Sequence, residues 1–145
     1  MNILKIAVPV VVCATVLGGC ASARGPSTAK ILGDTTGQNG RACVRLNDIQ
    51  GYGVLDDNII SINTLGQDYY LATVLPGCND LQTSIGVLFK GGFGEICGQS
   101  MNAVATNSDT CAINKIYKFE NREAAFASYN DARQKRKAMQ ENPQS

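Results

Sequence analysis

From Arg41 to Phe119 turn signals recur so often that no crossover helix fits between the apolar runs, and this limits the fold more than any other feature. Short apolar or alternating runs at 42–49, 52–55, 59–63, 69–75, 84–90, 95–97, 102–105 and 111–119 read as strands. Between them stand Asp56-Asp57-Asn58, Leu65-Gly66-Gln67-Asp68, Pro76-Gly77-Cys78-Asn79-Asp80, Gly91-Gly92-Phe93-Gly94 and Thr106-Asn107-Ser108-Asp109. Each supplies Gly, Pro or a short side chain able to bond its own backbone. Strands this closely spaced predict a mainly β fold, a small antiparallel β-barrel or sandwich. Alternation points Ile60 and Ile62, Ile85, Val87 and Phe89, and Cys111 and Ile113 inward.

Residues 120–145 break the pattern. From Asn121 to Gln140 there is no Gly or Pro, strong helix formers dominate, Asn121 or Glu120 stands near the start, and Pro143 lies beyond the end. This predicts a polar C-terminal helix. Ala125, Tyr129, Ala132 and Met139 share a narrow stripe that Arg136 interrupts, so the first half is expected to dock and the second to project into solvent. With few apolar contacts to offer, the tail is expected to be dispensable for folding of the β core. Arg133, Lys135, Arg136 and Lys137 fall within five residues. The cluster is either a solvated face or a contact for anionic headgroups or the cell wall.

A chain of 145 residues, 44% hydrophobic and 17% charged, suits one globular domain. Thirteen basic against twelve acidic residues argue against a nucleic-acid partner, which needs a cationic excess. The absence of His removes serine triads, Cys-His pairs and imidazole-bound zinc. No cofactor or metal is expected. The acids open to an enzyme using paired carboxylates are Asp48, Asp56, Asp57 and Glu95, and no spacing selects a pair among them.

Residues 6–17 are apolar and uncharged, the length of a secretory h-region but short of the roughly 20 residues that span a bilayer. They lead into Leu17-Gly18-Gly19-Cys20-Ala21, which resembles the lipobox of bacterial lipoproteins. The resemblance implies that residues 1–19 are a signal peptide. It further implies that Cys20 receives a diacylglyceryl thioether, and that its amino group, freed by cleavage, receives a third acyl chain. Two or three chains anchor a protein stably where one does not. Ala21 in place of Asp implies outer-membrane sorting, with the domain facing the periplasm. The other reading is an ordinary signal peptide cut after Ala23, with Cys20 lost. Residues 20–41 are rich in small and turn-forming types and read as the acylated N-terminus and a flexible tether, holding the domain about 25 Å from the membrane.

Four cysteines remain for a β domain over 42–119: Cys43, Cys78, Cys97 and Cys111. In an oxidising compartment they predict two disulfides, and no Cys-x-x-Cys suggests a redox or zinc site. Of three pairings, a hairpin across residues 91–94 favours Cys78 with Cys97, leaving Cys43 with Cys111 to join the first and last strands.

This frame, with Cys43 six residues before Ile49, Tyr70-Leu71, Cys78 three before Leu81, Ile96-Cys97-Gly98, and Cys111 before Ile113 and Ile116, resembles a family of small Gram-negative envelope lipoproteins and secreted proteins known as a domain of unknown function. The resemblance transfers no activity or catalytic residue. Where its members carry an acid shortly after the third cysteine, this chain has Gln99 and Ser100.

Gly92-Phe93-Gly94 lacks the strand-to-helix setting of a phosphate loop, and Asp56-Asp57-Asn58 lacks calcium-loop periodicity, so both read as turns. Tyr69 and Tyr70 face opposite sides of a strand, leaving one available to stack on a sugar or peptide. The expectation is a lipid-anchored, non-enzymatic envelope module that binds a protein, wall fragment or lipid. An alternative is an inhibitor of lysozyme-type hydrolases, although no loop here matches the Ser-Gly motif of such inhibitors.

Overall fold

Most of the expected strand runs carry a strand in the computed structural model, which describes residues 25–142, although the run at 84–90 is a strand only over Leu88–Lys90. The lipobox and Cys20 lie outside the described residues. In chain order the elements are α1 (Thr28–Thr36), β1 (Cys43–Arg45), β2 (Ile49–Asp56), β3 (Ile59–Thr64), β4 (Tyr69–Val74), β5 (Leu88–Lys90), β6 (Glu95–Cys97), β7 (Ala103–Ala105), β8 (Thr110–Phe119) and α2 (Arg122–Glu141). Six strands form an antiparallel sheet in the order β2-β3-β4-β8-β7-β5, and β1 pairs with β6 in a separate ribbon. The sheet curls into a half-barrel whose edge strands approach each other, Tyr52 of β2 meeting Phe89 of β5 edge to face at 6.1 Å between ring centres.

Strand alternation sorts the core into two layers. Ile60 and Ile62 of β3 and Tyr70, Ala72 and Val74 of β4 line the inside of the curl, joined there by Val44 and Ile96 from the ribbon. On the outer face Ile59, Leu71 and Tyr117 pack under the two helices. A bulge in β8 allows this. Thr73 pairs with Lys115 but Val74 with Ile113, so Asn114 is the extra residue, and the inner face passes from Ile113 to Ile116. Ile60, Ile62, Cys111 and Ile113 point inward as expected, and Val87 and Phe89 are partly buried, but Ile85 is 96% exposed in the loop before β5.

The expected strand over 42–49 is interrupted by a 3-10 turn, Leu46–Asp48. The expected hairpin across residues 91–94 does not form, because β5 pairs with β7 while β6 pairs with β1. That exchange corrects the disulfide pairing. Cys97 lies directly opposite Cys43 in the ribbon and is bonded to it, and Cys78 is bonded to Cys111 at the start of β8. Their α-carbon separations are 4.0 and 5.6 Å. The chain leading into β1 does run beside β8, Arg41 bridging Ile116 in parallel, but Cys43 passes that point away from Cys111 and each of the two sulfurs is bonded elsewhere.

The flexible tether is also corrected over part of its length. Ser27 caps α1, its hydroxyl accepting from the Lys30 amide at 3.3 Å, and Gly37 ends the helix in the left-handed region at φ 65°. Ile31 and Leu32, the only adjacent apolar pair of this segment, are buried against α2 and the sheet. Burying a leucine contributes about 2 kcal/mol, enough to seat a short helix that would not form alone.

At the other end Asn121 caps α2 by accepting from the Ala124 amide at 2.8 Å. Ala125, Tyr129 and Ala132 are buried, while Met139 is half-exposed, as expected of a helix that docks by its first half. The docking is deeper than the polar composition suggests, because α1 and α2 together roof the outer face of the sheet.

Candidate functional site

The second half of α2 meets the start of α1 and the β2–β3 turn, and of the charged groups singled out by sequence Asp56, Asp57, Arg133, Arg136 and Lys137 collect there. The β2–β3 hairpin needs a tight turn, which Asp57 and Asn58 supply. The Asp56 carboxylate accepts from the Asp57 amide at 2.9 Å. Arg136 interrupts the apolar stripe of α2, and its guanidinium reaches the Asp56 carboxylate at 3.6 Å and donates to the Thr28 hydroxyl at 3.1 Å. It thereby ties hairpin, α1 and α2 together. Tyr129, two turns earlier, donates to the Leu55 carbonyl at 2.6 Å. Burial, and next the Asp56 carboxylate, push the Tyr129 hydroxyl pKa up, with Arg133 and Arg136 pulling the other way.

Arg136 separates two clefts. On one side is an open cleft of about 700 Å³ between the β2–β3 turn, the loop at Cys78 and the end of α2. Its polar lining includes Asp56, Asp57, Gln82 and Gln140, and Gln82 donates to the Asp57 carboxylate at 2.8 Å. Gly25 also borders it, so the chain enters the described structure at this end. On the other side lies a shallow cleft of about 560 Å³ lined by Thr28, Asn130, Arg133, Gln134, Arg136, Lys137 and Gln140, with three cations and no carboxylate.

The basic cluster is therefore divided. Arg133, Arg136 and Lys137 face the second cleft, whereas Lys135 turns to Asp131 at 2.8 Å on the helix surface. Lys137 also reaches Glu141, loosely, at 3.8 Å. Arg133 stacks over the Tyr129 ring at 5.6 Å and forms no ion pair among the described residues.

The four candidate carboxylates are not gathered into one site. Asp56 and Asp57 share the hairpin turn and are held by Arg136 and Gln82. Asp48 pairs with Arg45 at 3.5 Å, and Glu95 sits opposite Arg45 in the ribbon. Glu95 and Asp109 each lie near a cysteine pair, but those sulfurs are joined in disulfides and offer no thiolate for a metal. Tyr70 is buried, and Tyr69 is half-buried against Phe126, their ring centres 6.0 Å apart.

Gln99 stands where the family resemblance expects an acid. Its side chain accepts from Arg41 and donates to the Asn39 carbonyl, both at 2.8 Å, and so clamps the segment leading into β1. A second polar cluster escaped sequence reasoning altogether. Asp80 accepts from Ser108 at 2.6 Å, from Thr83 at 3.0 Å and from Ser84 at 3.1 Å. The Ser108 hydroxyl first, helped by Thr106, Thr83 and Ser84, holds the Asp80 carboxyl down at about 2. No local motif signals a contact between residues 28 positions apart. Thr28 was equally hidden, since its role depends on α1 folding back onto α2.

Comparison with known proteins adds one finding: the family model described as a family of unknown function (DUF6491) matches residues 3–138. No curated protein and no solved structure matches the chain.

Proposed function

The chain belongs to DUF6491, a family of unknown function, and from that premise we propose that it is a lipid-anchored protein of the bacterial envelope. Its folded domain serves as a non-enzymatic binding module facing the periplasm. The observation that carries this reading is Leu17-Gly18-Gly19-Cys20 behind an uncharged apolar run. The small residues let the chain enter a peptidase cleft extended, and the thiol is the nucleophile that alkylation requires. Two disulfides in the described domain fit an oxidising compartment. Among the described residues no helix is long and apolar enough to cross a membrane.

Acylation is tested by labelled fatty acid. Label enters the wild type and sediments with membranes, and Cys20→Ser abolishes both. A wild type that stays unlabelled and soluble overturns the reading. Affinity capture from envelopes with the acylated protein then seeks the partner, with the cleft between the β2–β3 turn and α2 as the region to vary.

A further inference from the structure

We infer that the cationic face of α2 around Arg133 and Lys137 lies against anionic lipid headgroups and fixes the orientation of the domain on the bilayer. The inference rests on the lipid-anchor reading and goes beyond it by assigning a surface and its ligand.

Three observations carry it. The first is continuity of the chain: Cys20 precedes Gly25 by five residues, a contour of at most about 18 Å. Gly25 borders the same cleft as Arg136 and Gln140, and Thr28 borders the cationic cleft itself. Because α1 is docked, an anchor at Cys20 is a short leash attached beside the basic face. The second is charge: three cations and no carboxylate line that cleft. The third is donor availability. Arg133 is exposed, forms no ion pair among the described residues, and has its guanidinium positioned over the Tyr129 ring. A guanidinium held in this way presents its N–H fork to a phosphate oxygen pair at little entropic cost. The loose Lys137–Glu141 contact, on an exposed surface, is readily exchanged for a phosphate. Asp56 already engages Arg136 on its far side, so Arg136 serves mainly to hold the face in place.

The test uses the full acylated chain with a fluorophore on Ala138→Cys, an exposed α2 position beside Lys137. The protein is reconstituted in phosphatidylcholine vesicles with or without phosphatidylglycerol, both doped with a nitroxide-headgroup lipid that quenches nearby label. Flotation with the neutral vesicles reports the anchor independently of the surface contact. Quenching is expected to rise on the anionic vesicles and to disappear near 1 M salt, where screening is complete within about 3 Å. In R133Q/K137Q the docked-to-undocked ratio should fall about 25-fold, each cation near an anionic surface being worth about fivefold. Should that variant melt lower than the wild type, K137Q alone is read against a fivefold loss.

Failure to float overturns the anchor reading. Flotation with equal quenching on both vesicle types overturns the surface assignment and leaves the anchor standing. Lipid-independent quenching, with binding to isolated peptidoglycan sacculi that R133Q/K137Q loses, assigns the face to the wall and overturns the proposal.

Discussion

Tyr117 carries a buried hydroxyl with no hydrogen-bond partner among the described residues, in a side chain fully removed from solvent. Burial, with Asp34 adding to it, pushes its pKa up to about 12. The hydroxyl sits under α1 at Gly33, where a β-carbon would come within 2.6 Å of it. A strict period of two from Cys111 would place Tyr117 inside the curl and Ile116 outside. The bulge at Asn114 reverses both, and no local propensity in the strand marks that extra residue. An unpaired buried hydroxyl costs about 1 to 3 kcal/mol that its replacement by hydrogen recovers. Tyr117→Phe is therefore expected to leave the fold intact and stabilise it by about 1 kcal/mol in a denaturant melt. A loss of that size would show instead that the hydroxyl is engaged.

The two helices roof the sheet as a pair. Ile31 and Leu32 of α1 and Ala125, Tyr129 and Ala132 of α2 enclose Ile59, Leu71 and Tyr117, so neither helix buries its face without the other. The cap at Asn121 and the apolar stripe were legible as local features. The surface they cover was not, because it is the outer face of strands read as a β core complete in itself. Removing residues 120–145 exposes three large outer-face side chains and leaves α1 unsupported. At about 2 kcal/mol for each, the loss is comparable with a small domain's whole stability. Truncation after Phe119 should thus abolish the cooperative thermal transition followed by circular dichroism. This reverses the expectation from composition, and a truncated chain that still melts cooperatively would reinstate it.

Across the molecule, two disulfides secure different parts of the half-barrel. Cys43–Cys97 staples the β1·β6 ribbon at the surface, and Cys78–Cys111 is buried where the loop after β4 meets β8. That four cysteines make two bridges was legible from compartment and domain size. Their partners were not, since pairing depends on β6 joining β1 rather than the neighbouring β5, and short strands such as Leu88–Lys90 and Glu95–Cys97 hold too little side-chain pattern to select a mate. The sequence separations, 54 and 33 residues, give similar loop-closure terms of about 4 kcal/mol in the entropic account. Packing then decides which bridge matters more. Replacing Cys78 and Cys111 by Ala also removes buried sulfur from the inner layer, whereas replacing exposed Cys43 and half-buried Cys97 by Ser removes little packing. The Cys78/Cys111 double variant is expected to melt well below the Cys43/Cys97 variant, and unreduced peptide mapping of the wild type should yield only fragments joined as Cys43–Cys97 and Cys78–Cys111. The opposite order of stability would mean that the ribbon rather than the half-barrel core is what the bridges chiefly secure, and a fragment linking Cys78 to Cys97 would overturn the pairing itself.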